Sequence, residues 1–351
     1  MNRNACIGRE HIGRNVNDAG GGGKSNKLFA LTWPFMMPSM MIFPAIAIAF
    51  VCALAMHCAA ADQIHPLENF DVSEVAAGNY AHYGRFDERS AQNLGDNANV
   101  GFIVGEKCVL AVDAGGSLPV GRALREAIRR VTPLPVCYVV LTHVHPDHFF
   151  GAAAFLDDYP QFIAHENYPA QLAARGRSYM NSLQRDLGAA AAGSDIVRPT
   201  LLISQRLELD LGGRTVVIQA WPPAHTDNDL TIFDVLTRTL WLSDLLFVGH
   251  TPVIDGTITG FLSVMKDLRA MTADHYVPGH GRSDLPWPRP LDAQQRYLTV
   301  ILDETRAAIR NRKTIQQATA EVGLSEAGNW AVFDLFHRRN VTAAFAELEW
   351  E

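Results

Sequence analysis

The chain has 351 residues, 48% of them hydrophobic and 19% charged, with a formal net charge of −7. That is enough apolar material for one large core or two modest ones, and no internal repeat or long polar low-complexity tract interrupts it. The acidic balance, with Lys and Arg scattered as singles, excludes a nucleic-acid partner and with it a nuclease.

The first sixty residues stand apart. Arg3, Arg9, Arg14, Lys24 and Lys27 outweigh Glu10 and Asp18, and the stretch from Leu28 to Met56 then carries no charge. A basic segment, an apolar segment and small residues at Ala59 and Ala61 form the pattern of an export signal, with the mature chain starting near Asp62. Pro34, Pro38 and Pro44 break the front half, leaving residues 45–56 as a short export-type core. A retained anchor in the inner membrane is the alternative, since an uncharged stretch of this length can span a bilayer. Met56 and His57 are poor neighbours for an acylated Cys58, which argues against a lipoprotein. Cleavage removes five basic and two acidic side chains, moving the net charge from −7 to −10. Residues 1–61 are thus an export signal or anchor and the product is periplasmic or secreted. Residues 62–290 make the main domain, and 291–351 a helical extension packed on it.

Short β-rich runs follow at 70–83, 99–105 and 107–113, separated by Gly, Asn and Asp. After "AGG" at 114–116, "LPVGRALREAIRRV" has helical spacing, and "PVCYVVLTH" is a continuous apolar run ending on a histidine. A strand apolar throughout is covered on both faces, so helices pack outside this sheet. Cys108 and Cys137, the two cysteines of the mature part, lie in such runs as buried thiols or a disulfide, and neither is spaced as a zinc ligand. Residues 166–200 read as a helical excursion, either solvated or a lid. The run "RLELDLGGRTVVIQAWP" is a hairpin turning at Gly212 and Gly213, and "LTIFDVLTRTLWLSDLLF" is a second strand pair. Residues 258–271 are helical, "HYVPGHG" is a short strand, and the chain from Pro288 is helical, with Trp330, Phe333 and Phe336 as core anchors.

Chemistry concentrates at 141–151, "LTHVHPDHFFG", where His143, His145, Asp147 and His148 occupy six positions. Alternate side chains in a tight loop at a strand end converge on one point. Asp147 and His148 open the next helix and turn toward a neighbouring point, so one segment feeds two adjacent metals. His225 in "PPAHTDND", Asp244 in "LWLSDLLF" and His280 in "PGHG" also fall at strand ends, and Gly279 and Gly281 let backbone pass close to a site. Imidazole and carboxylate donors without thiolate suit zinc, with Fe or Mn acceptable.

The motifs "THVHPDHFFG", "AHTDND", "LSDLLF" and "PGHG", preceded by "VLAVDAGG", resemble the metallo-β-lactamase superfamily over most of residues 70–285. The resemblance implies an α/β fold, a four-layer αβ/βα sandwich, here with extra C-terminal helices. It implies two Zn²⁺ per chain, one held by His143, His145 and His225 and one by Asp147, His148 and His280, with Asp244 bridging. A carboxylate at 244 is similar to the glyoxalase II and phosphodiesterase branches, whereas many β-lactamases of the family carry Cys or Ser there. The mature sequence further resembles exported zinc hydrolases that accompany quinoprotein dehydrogenase and sulfur-oxidation systems, which implies a functional association of that kind. On this reading a metal-bridging hydroxide attacks an ester, thioester, amide or phosphoester of a small molecule, with Asp147 orienting the water and aiding proton delivery. The alternatives are an iron-dependent oxygenase acting on a persulfide, as in a related branch, and a non-catalytic metal-binding accessory protein.

Around the ligands, Asp113 either braces the ligand loop or caps a turn, and Thr142, Thr226 and Asp227 are placed to orient ligands. His165 and His250 either enter the pocket or are structural. Arg282, two beyond His280, either receives an anionic group or lies on the surface.

Overall fold

The structure, a computed structural model, describes Leu67 and residues 70–351. The export segment or anchor expected over residues 1–61 lies outside them. Among the described residues no helix is long and apolar enough to cross a membrane.

The first sheet has seven strands in sequential order: β1 (Ser73–Ala76), β2 (Asn79–His82), β3 (Val100–Val104), β4 (Val109–Val112), β5 (Val136–Val140), β6 (Gln161–His165) and β7 (Leu201–Ile203). Its first four strands are antiparallel and β4 to β7 run parallel. The second sheet orders β12 (His275–His280), β11 (Thr239–Phe247), β10 (Leu230–Asp234), β9 (Thr215–Ala220) and β8 (Arg206–Asp210), antiparallel except for β11 with β12. The hairpin between β8 and β9 turns at Gly212 and Gly213, both at positive φ as the Gly-Gly pair predicts. The β run at 70–83 is itself a hairpin, turning through Gly78 at φ +72°.

The side-chain period of two explains why the central strands are apolar throughout. On β4, Val109 and Ala111 face a core shared with α1 (Leu118–Val131), whereas Leu110 and Val112 face the second sheet. Trp241 and Leu242 on β11 divide in the same way between the inter-sheet core and the far helices. Three apolar cores therefore separate four layers, helix, sheet, sheet, helix, which is the αβ/βα sandwich expected from the sequence.

The outer layer of the first sheet contains α1, the single turn α2 (Pro146–Phe149) with the 3₁₀ run Phe150–Asp158 that continues it, and α3 (Tyr168–Leu187). Helix α1 starts at Ser117, whose hydroxyl accepts from Val120 N, and ends with Arg129 and Arg130 beside its carbonyl terminus. The layer against the second sheet contains α4 (Ile258–Ala270), α5 (Leu291–Arg310), α6 (Ile315–Glu321) and α7 (Phe333–Leu348). The last three share one continuous apolar core with α4 and β11, built on Phe261, Leu298, Ile301 and Val341.

Candidate metal centre

Six of the seven residues the motifs single out follow or end a strand at one edge of the sandwich; Asp244, expected at a strand end, instead lies inside one. Leaving β5, the chain passes Leu141 and Thr142 and presents His143 and His145, and Pro146 then opens α2, setting Asp147 and His148 in its only turn. His225 follows β9, and His280 is the last residue of β12. Asp244 lies within β11, where the pairing with β12 shifts register between Trp241 and Ser243 and Ser243 adopts φ +47°. This irregularity turns the Asp244 carboxylate toward the edge. Gly279 makes room for it: a Cβ there would meet Asp244 Oδ1 at 2.0 Å.

The seven side chains gather into two groups, His143, His145, His225 and Asp244 in one and Asp147, His148 and His280 in the other. Within each group the donor atoms lie within 4.8 Å of one another. Asp244 faces both. Its Oδ2 lies 3.3 Å from His225 Nε2 and 3.6 Å from His143 Nε2, while Oδ1 lies 3.1 Å from His148 Nε2 and 3.4 Å from His280 Nε2.

The hydrogen bonds decide which nitrogen of each ring is available. His225 Nδ1 donates to Val253 O at 2.8 Å, His145 Nε2 to Asp255 Oδ2 at 3.0 Å, and His148 Nδ1 to Asp113 Oδ2 at 2.8 Å. Thr142 donates to Asp113, so its oxygen accepts from His143 Nδ1 at 3.1 Å. Each of these four imidazoles therefore turns a bare lone pair inward. His225 Nε2 and His145 Nδ1 face each other at 2.9 Å, and with their protons committed elsewhere the facing pair needs a cation nearby. His143 Nε2, His148 Nε2 and Asp244 Oδ1 are buried without a hydrogen-bond partner. Such orphans are rare in folded proteins and fit a metal centre. The His280 ring is held instead by stacking, 5.2 Å from Phe247 at 2° and 4.6 Å from His250 at 27°.

The electrostatics divide the histidines. Burial pushes His143 well below its ordinary pKa and His225 down to about 4, which keeps both neutral. In His148 and His280 burial is outweighed by the neighbouring carboxylates, Asp244 first, and both are raised. Burial opposes ionisation of Asp244 and Asp147, but the surrounding histidines, His148 first, outweigh it and hold both carboxyls below their usual range.

The supporting residues divide. Asp113 braces the ligand loop: it accepts from Thr142 N and Oγ1 and from His148 Nδ1, all at 2.8 Å. Thr142 orients His143, as the sequence suggests. Thr226 acts one step further away, donating through N and Oγ1 to Asp229, a carboxyl that burial raises to about 7. Asp227 turns away from the ligands and accepts from Asn167 and Gln171 at α3. His165 accepts from Asn167 N outside the cavity, whereas His250 lines it. Arg282 is exposed and stacks over Tyr83, so it takes no part in the cavity. Phe336 is not a core anchor. It is half-buried on α7 at the cavity wall, 5.3 Å from the His250 ring, whereas Trp330 and Phe333 are buried as expected. Cys108 and Cys137 are free thiols in contact across β4 and β5, with burial raising Cys108 to about 12.

Asp255, Val253 and Asn99 carry no motif signal. Asn99 donates from Nδ2 to Pro278 O and Gly281 O at 2.9 and 2.7 Å and so ties β3 to the segment bearing His280. The metal-facing groups open into a cavity of about 740 Å³. One wall is α3, with Arg175, Ser178 and Tyr179; the other includes His250, Phe336 and Arg339. Residues 168–187 thus form a wall over the centre, and Tyr168, fully buried, fastens that helix to the first core.

Among solved structures, the stereoselective inverting sec-alkylsulfatase Pisa1 from Pseudomonas sp. is similar over 79% of this chain and 50% of its own, at 15% identity and a TM-score of 0.61. The chain therefore spans half the length of that enzyme. Metallo-β-lactamases from Pontibacter korlensis and Hirschia baltica are similar over 65% of this chain and 98% and 97% of theirs, at 14% and 13% identity and TM-scores of 0.51. These likenesses show the fold. No curated protein matches the sequence. The family model described as the metallo-beta-lactamase superfamily matches residues 94–319, which take in every one of the seven gathered side chains. The chain belongs to the metallo-β-lactamase superfamily.

Proposed function

We propose that the chain is an exported dinuclear zinc hydrolase that cleaves an ester, thioester, amide or phosphoester of a small or medium-sized molecule. The observation that carries this reading is Asp244, whose two oxygens face separate groups of nitrogen donors, an arrangement for two cations. The donor set supports zinc over softer metals. Two divalent cations, if bound there, would supply a hydroxide nucleophile near neutral pH and polarise the scissile carbonyl or phosphoryl oxygen. His143, His145 and His225 would hold one cation, Asp147, His148 and His280 the other, and Asp244 both.

Asp147 is the one carboxylate of the set that remains partly open to the cavity, with Oδ2 3.5 Å from His280 Nε2. It would orient the attacking water, accept its proton as the new bond to the substrate forms, and pass that proton to the leaving group as the scissile bond breaks. Tyr179 and Phe336, both lining the cavity, would limit water around the substrate. The N-terminal pattern of basic residues, uncharged stretch and small residues before Asp62 supports a periplasmic or secreted location. A functional association with a quinoprotein dehydrogenase system follows from the sequence resemblance.

Protein purified without added metal is expected to contain about two zinc per chain. It should hydrolyse at least one member of a panel of esters, thioesters, amides and phosphoesters. A sulfate ester belongs in the panel, because the similar Pseudomonas enzyme is an alkylsulfatase. Turnover should vanish in His143→Ala and after chelation. Activity that persists after verified metal removal refutes the mechanism, and one iron per chain with oxygen uptake replaces it by persulfide oxygenation.

A further inference from the structure

The loop 249–255, between β11 and α4, has no regular structure of its own, yet it supplies the acceptors that aim two ligands. Val253 O takes the Nδ1 proton of His225, and Asp255 takes the Nε2 proton of His145. Asp255 is held by Arg175 on α3, which donates to its carboxylate, and by its own N–H on His225 O at 2.8 Å, whereas the residues around Val253 are fixed from the C-terminal part of the chain. Asn340 on α7 is completely buried. Its Nδ2 donates to Pro252 O at 2.6 Å and its Oδ1 accepts from Ile254 N at 3.0 Å, so the residues on both sides of Val253 are clamped by one amide. The amide orientation is determined by these partners, since a peptide N–H demands the oxygen and a carbonyl demands the nitrogen. Tyr297 Oη on α5 accepts the remaining proton at 2.8 Å. A second clip lies just upstream: Ala331 N donates to Gly249 O at 2.8 Å, and Ala331 O accepts from Thr251 N at 3.1 Å.

We propose that Asn340 is a positioning residue of the three-histidine cation group, acting through Val253 on His225. The inference rests on the metal-centre reading above. The C-terminal helix is on this account part of the centre, although it contributes no ligand. Loss of the clamp leaves a buried N–H and a buried carbonyl without partners, and the loop relaxes around Val253. In the other group His148 is braced from Asp113, and His280 touches the loop only through the His250 ring, upstream of the clamped residues, so the change falls mainly on the three-histidine group.

The test is a zinc titration of the metal-free full-length chain in competition with a chromophoric chelator. Wild type should show two binding steps, and His225→Ala should identify the step belonging to the three-histidine group. If neither protein binds zinc, the metal-centre reading itself fails. In Asn340→Ala the step marked by His225→Ala should weaken about 10- to 100-fold, with the other step within about twofold of wild type. Asn340→Asp keeps the acceptor for Ile254 N and the side-chain shape. It should fold if the alanine variant does not, and should weaken the same step by a smaller factor. Leu348→Ala separates positioning from stability. Leu348 is buried in the apolar core on the same helix, two turns beyond Asn340, so this variant should lower the thermal midpoint and leave both steps unchanged. Wild-type affinities in both Asn340 variants, or equal weakening of the two steps, overturn the proposal.

Discussion

Asp113 holds a backbone position at φ +57° that most residues avoid, and it does so beside the site. The conformation places one carboxylate within reach of Thr142 N, Thr142 Oγ1 and His148 Nδ1, so the strand end and the second ligand group are joined through a single side chain. Asn tolerates the same backbone, which makes Asp113→Asn the informative change. Its amide would turn an N–H toward His148, forcing the imidazole to accept at Nδ1 and carry its proton on the inward nitrogen. Cation affinity at the Asp147, His148 and His280 group is expected to fall about 10-fold or more, with little loss of fold stability. A zinc titration beside urea unfolding checks both parts, and a variant with wild-type affinity would remove Asp113 from the centre. Four of the seven gathered side chains were legible as one dense motif after an apolar strand, and His225, Asp244 and His280 through the short motifs that resemble the family pattern. Asp255, Asn99 and Asn340 were not: each is a lone polar residue whose partner lies far along the chain, and no local spacing marks it. Phe336 was misjudged for a related reason. Helical spacing shows that a residue is on an apolar stripe but not whether that stripe is covered, and α7 leaves this ring at the cavity wall.

At the scale of elements, the central strands and both hairpins of the second sheet were readable, since continuous apolar runs and a Gly-Gly turn have few other solutions. The 3₁₀ run at Phe150–Asp158 was not, because its geometry comes from packing. A Cβ on Gly151 would meet Ala114 O at 1.9 Å and Gly121 Cα at 2.9 Å, and this close approach draws the segment onto α1. The connection between α6 and α7 depends on charge. Glu326 accepts from Arg296 Nε and Nη2 and from Trp330 Nε1, each at 2.9 Å, which ties α5 to the turn before α7. The Arg296 hydrogen bonds are the main cause that lowers its pKa to about 2. A carboxyl lowered on folding contributes stability that is fully present above its ordinary value near 4.5 and is lost as pH falls through the folded value. Wild type should therefore lose stability between about pH 4.5 and 2, and Glu326→Gln should lose less over that window. At pH 7 the variant should be less stable by about 1–2 kcal/mol, a modest figure because the Arg296 side chain is 50% exposed. Urea unfolding at pH 7, 4.5 and 3 measures the difference, and parallel pH slopes in the two proteins would contradict it.

Across the whole molecule, the two sheets are fastened at opposite edges by different chemistry. At one edge the ligands come from both sheets, His143, His145, Asp147 and His148 after β5 and His225, Asp244 and His280 from β9, β11 and β12, so bound cations cross-link the sandwich. The other edge lies at the start of β9, about 20 Å away along that strand. There Arg214, buried, donates to both oxygens of Asp234 and to Val104 O and Ala77 O at 2.8 and 2.7 Å, joining the second sheet to the first. Asn79 Nδ2 completes the acid's coordination at 2.9 Å. Removing one partner of such a buried pair strands the other, so Arg214→Ala should cost about 3–5 kcal/mol of unfolding free energy. Cations at about 100 times their dissociation constant add about 2.7 kcal/mol per site by mass action. The two fastenings share no residue, so chelation and Arg214→Ala should destabilise additively within about 0.5 kcal/mol, and the variant should retain the metal content of wild type. Denaturant unfolding of wild type and Arg214→Ala, each with and without zinc, closes this cycle. A coupling well above that margin, or zinc lost from the variant, would mean that the edges are not independent and that the metal centre depends on the clasp at the far end of the sandwich.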